Sequence, residues 1–197
     1  MSQSQKLLFI SGSARQGSYN STLARLAAHI AEANGIAATL VDLGSYPMPI
    51  YDGDLESKDG VPDNAHRLKA LMQVHGGIFI AAPEYNASVT PLLKNALDWV
   101  SRIRADGEVP LEVYKTRVFA LGSASPGAFG GVRGLITMRQ VLAVGLGALV
   151  LPDQISIQRA ASAFDEQGHL KDKVQQDMVK SIIQKLARAA KVLQGGA

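Results

Sequence analysis

Leu7-Leu8-Phe9-Ile10-Ser11-Gly12-Ser13-Ala14-Arg15-Gln16-Gly17-Ser18-Tyr19-Asn20-Ser21-Thr22 is the stretch on which the reading of the chain turns. Its first four residues form a short apolar run, as expected of a parallel strand buried on both faces. Beyond it, Leu23, Leu26, Ala27, Ile30 and Ala31 recur at helical spacing. Between the two lies a loop of hydroxyls, two glycines and one arginine. Strand, polar glycine loop and helix together make a phosphate cradle. Loop amides and the helix N-terminus point at the anion, and the aligned peptide dipoles favour its charge. The hydroxyls of Ser13, Ser18, Ser21 or Thr22 can add hydrogen bonds, and Arg15 a charge-assisted one worth roughly 1.5–3 kcal/mol. The same residues also read as an ordinary turn in which Ser and Asn cap a helix.

Two better-known phosphate motifs do not fit. Gly12 and Gly17 have the spacing of a P-loop, but Ser18-Tyr19 stand where its Lys-Ser/Thr belongs, so the lysine and the magnesium hydroxyl are missing. The dinucleotide fingerprint G-x-G-x-x-G fails at Ala14. What remains suits a terminal phosphate monoester.

The 197 residues suit one domain spanning residues 1–197, and 47% hydrophobic content with 6% aromatics describes an aliphatic globular core. The net charge of +3 comes without a dense basic run, which argues against a nucleic-acid partner. The absence of cysteine excludes disulfides, thiolate catalysis and thiolate metal sites. His29, His66, His75 and His169 lie far apart without ligand spacing, so no metal site is expected. Met1-Ser2-Gln3-Ser4-Gln5 carries no signal-peptide pattern, and no apolar run reaches membrane length. A soluble, cytoplasmic protein is the expectation. The sequons at Asn20 and Asn86 are then accidental.

Further along, Ala37 to Leu43 reads as a second strand, with Asp42 at its end resembling a ribose-binding acid that lacks its glycine fingerprint. Residues 44–62 read as a long loop in which Pro47 and Pro49 forbid a helix. Asp63 is expected to cap a helix running to about Val74. Gly76 to Ala82 is a third strand, apolar throughout and hence central. A helix follows with Pro91 in its first turn and Leu92, Leu93, Ala96, Leu97 and Val100 on its faces, and Trp99 in the core or an interface. Residues 104–115 read as a polar loop. Val118 to Gly122 is a fourth strand, followed by a helix through Leu135, Met138, Leu142 and Val144. Ala148 to Leu151 is a fifth strand, ended by Pro152, and a last amphipathic helix carries Val174, Met178, Ile182, Leu186, Ala189 and Leu193.

Five strands alternating with five helices imply an α/β fold, a doubly wound parallel sheet with helices on both faces. Five strands suit the flavodoxin-like order 2-1-3-4-5, whose ligands bind at the carboxyl ends of the strands near the switch point between strands one and three. The unusual loops follow strands one, three and four, so one pocket gathers them. The first suits a phosphate. The second offers Pro83, Glu84, Tyr85 and Asn86. The third runs Ser123-Ala124-Ser125-Pro126-Gly127-Ala128-Phe129-Gly130-Gly131, with small residues that let a planar ligand approach the backbone. Phosphate at one end and a flat heteroaromatic ring at the other describe a mononucleotide such as FMN. Glu84 and Tyr85 admit an acid–base role. The simpler reading, that they hold the loop or a partner subunit, is preferred because flavin chemistry needs placement more than a strong base.

With these residues in place, the chain resembles the NADPH-dependent FMN reductases of the flavodoxin-like superfamily, a group that includes quinone, chromate and azo-dye reductases. The resemblance runs from Leu7 to the final helix. It rests on Gly12-Ser13-x-Arg15-x-x-Ser18-x-Asn20, and most specifically on Pro83-Glu84-Tyr85-Asn86 continuing through Pro91 to Trp99. Ser125-Pro126-Gly127-x-x-Gly130-Gly131-x-Arg133 and Phe164-Asp165-Glu166-x-Gly168-x-Leu170 extend it. It implies noncovalent FMN, with Ser13, Arg15, Ser18, Asn20 and Ser21 or Thr22 at the phosphate. Pro83, Glu84, Tyr85 and Asn86 would line the ring, with Ser123, Gly127 and Gly130 nearby. No side chain is assigned as catalytic, because flavin N5 carries the chemistry. The resemblance further implies homodimers, often paired into homotetramers. It also implies a ping-pong cycle from NADPH or NADH to a quinone, free flavin, azo or oxyanion acceptor. A flavodoxin-like electron carrier without NAD(P)H activity is the alternative. A phospho-receiver is disfavoured by Ser11-Gly12 and Pro83-Glu84 at the positions where it needs acids.

Overall fold

The computed structural model describes residues 6–195. Residues 1–5, on which the reading of no leader rests, lie outside them. Strand β1 (Lys6–Ser11) leads to helix α1 (Tyr19–Ala33), β2 (Ala37–Asp42) and a 3-10 turn at Leu43–Ser45. Two helices follow, α2 (Gly53–Asp59) and α3 (Asp63–Gln73), then β3 (Gly77–Ala81) and a small hairpin of β4 (Glu84–Tyr85) and β5 (Ser88–Val89). The remainder is α4 (Pro91–Arg102), α5 (Glu112–Lys115), β6 (Val118–Ala124), α6 (Val132–Gln140), β7 (Leu149–Ile157), α7 (Ala160–Ala163) and α8 (Lys173–Gly195). The main sheet has the order β2-β1-β3-β6-β7, parallel throughout. Counting only its five strands, this is 2-1-3-4-5, the order expected of a flavodoxin-like fold.

Side-chain alternation along β1 divides the core. Leu7 and Phe9 face α1 and α8, and Phe9 meets Phe79 of β3 at 6.1 Å between ring centres. Leu8 and Ile10 face the other way, with Ile78 and Ile80, against α3, α4 and α6. Each of these side chains is almost completely buried, and burial of each contributes roughly 1.5–3 kcal/mol. Both central strands are thus clamped, which fixes where their carboxyl ends lie.

Several expectations need correction. Residues 44–62 hold α2, which starts four residues beyond Pro49 and is capped by Asp52: its carboxylate accepts from the N–H groups of Asp54 (2.7 Å) and Leu55 (3.3 Å). The same segment is fastened to α4, where Trp99 Nε1 and Asn95 Nδ2 both donate to the Pro49 carbonyl, at 2.7 and 2.9 Å. Trp99 is therefore a core residue that also anchors a loop. Asp63 lies inside the first turn of α3 rather than capping it; Pro62 holds the cap position without a side-chain bond. The 104–115 loop contains α5, whose Tyr114 is fully buried and donates to the Leu97 carbonyl at 2.8 Å. Val144 is exposed, because α6 ends at Gln140 and the chain widens into a π turn over Val141–Gly145.

Pro152 does not end the fifth strand. β7 continues to Ile157, with a register shift opposite the Phe119–Leu121 stretch of β6. Proline is tolerated there because β7 is an edge strand, and an irregularity takes up the missing donor. No helix among the described residues is long and apolar enough to cross a membrane.

Candidate functional site

Three loops meet at the carboxyl ends of β1, β3 and β6, and specific bonds join them. Gly12 N–H donates to Ala81 O at 3.0 Å, and Ala82 N–H donates to Gly122 O at 2.7 Å. Thr90 caps α4 through Leu93 N–H (3.4 Å) and donates its hydroxyl to the Gly12 carbonyl (3.1 Å). A β-carbon at position 12 would stand 3.0 Å from Pro83 Cδ and 3.1 Å from Leu93 Cδ2, so glycine lets the first two loops touch without displacing either side chain. Asn20 spans to the third loop. Its Nδ2 donates to Ala124 O at 2.9 Å, and its Oδ1 accepts from Ala124 N–H at 3.0 Å.

The hydroxyls of the first loop mostly serve the protein. Ser18 caps α1, accepting from Asn20 N–H (3.2 Å) and Ser21 N–H (3.4 Å). The Ser21 hydroxyl shares a 2.8 Å hydrogen bond with that of Ser11, and Thr22 donates to Ser18 O at 3.3 Å. Ser13 is buried, its Oγ accepting from Arg15 N–H at 3.3 Å. Among the described residues, the N–H groups of Ser13, Ala14, Gln16 and Gly17 find no acceptor. They lie just before Ser18, the cap at the positive end of α1, and unpaired amides at a helix N-terminus suit a phosphate. Arg15 stays exposed, its guanidinium 5.5 Å from the Tyr19 ring centre. The groups left available to meet an anion are thus backbone amides and one arginine. The hydroxyls shape the loop.

In the second loop, Pro83 is buried and Tyr85 is 55% exposed. Asn86 and Ala87 form the hairpin turn with φ of 50° and 63°. Asparagine adopts this conformation readily, whereas alanine is strained in it. Glu84 points away from the turn. Its carboxylate receives Gly134 N–H at 2.9 Å and the Arg133 Nε at 2.9 Å, with Arg133 Nη2 closing on the same oxygen. Burial pushes the Glu84 carboxyl up, but these donors outweigh it and hold it below the ordinary glutamate range. Only 8% of the side chain is exposed. Such a carboxylate locks α6 to the hairpin and is poorly placed to exchange protons.

In the third loop, the Ser123 hydroxyl is buried without a hydrogen-bond partner among the described residues. It packs beneath Gly131, where an added β-carbon would come within 2.0 Å of it. Gly130, with φ of 59°, sits against β7, where a β-carbon would lie 2.4 Å from Ser156 Oγ. At Gly127 an added β-carbon would meet only Ser125 Oγ, in ordinary contact at 3.8 Å. Gly130 is therefore demanded by internal packing and Gly127 is the position that leaves room for a ligand.

Asp42 is outside this cluster, its carboxylate accepting from Gly44 N–H at 2.9 Å to cap the 3-10 turn. No group of His, Asp or Glu able to hold a metal occurs among the described residues. Sequence reasoning passed over Thr90, although Thr before Pro at the head of an apolar stripe is a legible cap signal. It also passed over Ser11, whose buried bond to Ser21 has no sequence signature.

The amide cradle, the orphaned Ser123 hydroxyl and the uncrowded Gly127 suit a ligand with an anionic end and a flat end, and FMN fits that description. Residues 5–162 match the family described as NADPH-dependent FMN reductase. An NAD(P)H-dependent FMN reductase of Pseudomonas aeruginosa is 33% identical over 99% of this chain and 100% of its own length. A quinone reductase of Escherichia coli is 33% identical over 77% of this chain and 76% of its own. Among solved structures, an NAD(P)H:(acceptor) oxidoreductase flavoenzyme of Paracoccus denitrificans superposes with a TM-score of 0.78. It covers 95% of this chain and 97% of its own at 23% identity, which supports the shared fold. The fold, the joined loops and the match across most of the sequence agree: the chain belongs to the NADPH-dependent FMN reductase family.

Proposed function

We propose that this protein is an FMN-dependent NAD(P)H oxidoreductase that works by a ping-pong cycle and reduces a small acceptor such as a quinone, free flavin, azo compound or metal oxyanion. The observation that carries the reading is the set of amides at Ser13, Ala14, Gln16 and Gly17 without an acceptor among the described residues, on a loop tied to the other two by Asn20 and Thr90. Bound FMN would supply two-electron redox chemistry between a dinucleotide and an acceptor. The protein supplies binding and placement. The amides and Arg15 hold the phosphate, with Ser18, Asn20, Ser21 and Thr22 fixing the loop. Pro83, Tyr85 and Asn86 border the ring from one side, with Glu84 keeping the hairpin in place. Ser123 and Gly127 lie on the other, with Gly130 holding that loop on β7.

The same reading includes a homodimer or homotetramer in the cytoplasm, consistent with three exposed apolar side chains near α6: Tyr85, Phe129 and Ile136. Initial rates measured with NADPH and a quinone varied together test the cycle. Parallel double-reciprocal lines are expected. Intersecting lines would require both substrates on the protein at once and contradict it.

A further inference from the structure

A groove of about 620 Å³ opens beside the phosphate loop, away from the hairpin and the Gly127 loop. It starts at Gly17 and Tyr19 and runs along α1. Tyr19, Thr22, Arg25, Leu26 and His29 line it, and their spacing puts them on one stripe of the helix. The opposite wall is the segment from Ala160 to His169, with Phe164, Glu166 and His169 facing the groove.

That wall is preformed. Phe164 bridges to Leu170, and Asp165 N–H donates to His169 O at 2.9 Å. The Asp165 carboxylate accepts from the N–H groups of Gln167 (3.0 Å) and His169 (2.8 Å) and lies 3.6 Å from His169 Nδ1. Gly168 packs directly on the Thr22 methyl. Asp165 is thereby committed to its own turn. Arg25 is not committed: its guanidinium reaches only Thr22 Oγ1, at 3.3 Å, and meets no carboxylate among the described residues. His29 stands 6.3 Å from His169, ring centre to ring centre, leaving a gap between the imidazoles. The groove therefore combines an apolar floor at Leu26 and Ala160, aromatic edges at Tyr19 and Phe164, an unneutralised cation and the acceptor carboxylate of Glu166. That is the chemistry of a nucleoside phosphate: a flat base, a sugar with hydroxyls and an anion. The volume lies within the range of small-molecule sites, about 300–1,000 Å³.

We propose that this groove receives the adenosine-phosphate end of the reduced dinucleotide, with Arg25 meeting a phosphate and Glu166 accepting from the ribose 3′-hydroxyl. The inference rests on the oxidoreductase reading, which requires a dinucleotide to bind and leave in each cycle. Its position follows from the fold. The groove borders the loop that takes the flavin phosphate, so a dinucleotide lying along FMN would extend its far end past Gly17 onto α1. Arg25 is a binding residue in this account and takes no part in the chemical step.

The test is calorimetric titration of the FMN-loaded protein with adenosine 2′,5′-bisphosphate, which carries the base, sugar and phosphate but cannot reduce flavin. Saturable binding is expected, competitive with NADPH. Arg25→Gln should weaken it at least about tenfold and Arg25→Lys less, since the charge is kept. In steady state Arg25→Gln should raise KM for NADPH with kcat unchanged. Absence of binding, or equal binding by Arg25→Gln, would overturn the inference. Equally effective competition by inorganic phosphate would overturn it too, by reducing the groove to a plain anion site. NADPH that still bleaches the flavin while the bisphosphate fails removes the groove and leaves the oxidoreductase. Flavin that NADPH cannot reduce at any concentration removes the oxidoreductase reading itself, and the dinucleotide assignment with it.

Discussion

Asn20 on α1 grips the backbone of Ala124 at the end of β6 from both sides, across 104 residues of sequence, with bonds of 2.9 and 3.0 Å. An asparagine amide carries a donor and an acceptor side by side, so one side chain satisfies a peptide N–H and a peptide C=O of the same residue. Both of those groups are buried, so losing the amide leaves two polar atoms unpaired. Asn20→Ala should destabilise the fold by about 2–6 kcal/mol, at roughly 1–3 kcal/mol for each unsatisfied group. It should also weaken FMN binding, because the first and third loops lose their tie. Urea unfolding and flavin titration measure the two effects. A stability change under about 0.5 kcal/mol, the range of an ordinary surface substitution, would show that the pair is dispensable.

Arg15 has no ion partner among the described residues and lies over Tyr19 at the mouth of the amide cradle. Arg15→Ala should weaken FMN binding by about 1.5–3 kcal/mol, roughly 10- to 150-fold in Kd. Fluorescence quenching of FMN on titration gives the constant directly. An unchanged Kd takes Arg15 out of the phosphate site.

Glu84 and Tyr85 are adjacent but should behave differently. The depressed Glu84 carboxyl means the folded state holds its proton less tightly than the unfolded chain does. Its contribution to stability is therefore complete above the ordinary glutamate value of 4.5 and is lost as pH falls through the lower folded value. Glu84→Gln should flatten the acid side of the stability–pH curve relative to wild type. Two parallel curves would mean the Arg133 and Gly134 contacts do not persist in solution. Tyr85, 55% exposed, has no side-chain bond in the described residues. Tyr85→Phe should change the rate of flavin reduction by less than about tenfold, or 1.4 kcal/mol. A much larger fall would assign the phenol an acid–base role.

Gly130 and Gly127 sit three residues apart in one loop. A β-carbon at 130 meets Ser156 Oγ at 2.4 Å and the Gln158 nitrogen at 2.9 Å in a left-handed backbone, while one at 127 meets only Ser125 Oγ at 3.8 Å. Gly130→Ala should cost about 2 kcal/mol or more in stability, from overpacking and backbone strain together. Gly127→Ala should leave stability nearly unchanged and act on FMN affinity instead. Comparing thermal unfolding with and without FMN separates the two. Equal losses in the apoproteins would contradict the distinction.

The sheet was legible because β1 and β3 are uninterrupted apolar runs and because polar loops follow them in a regular βα alternation. The edge was less legible. Pro152 reads as a terminator, yet β7 absorbs it through a register shift, and only the position of a strand in the sheet decides whether a proline is tolerated. The 44–62 segment reads as irregular because α2 is short and its hold on the fold comes from Trp99 and Asn95, more than forty residues away. In the site, residue types pointed to three loops, and the fold joins those loops at the carboxyl ends of β1, β3 and β6. They could not show that Ser18, Asn20 and Ser21 spend their side chains on the scaffold, since that depends on Ala124 and Ser11 being in reach. Nor could they bring Arg25 and His29 together with His169, which sit on segments brought face to face only by the folded chain.

The most direct test of the account is the absorption spectrum of the FMN-reconstituted protein before and after anaerobic addition of NADPH or NADH. The account predicts stoichiometric bound flavin whose visible absorbance is lost on adding the dinucleotide and restored by a quinone. Flavin that binds but keeps its colour, while dithionite still bleaches it, would make the protein an electron carrier and contradict the proposed activity.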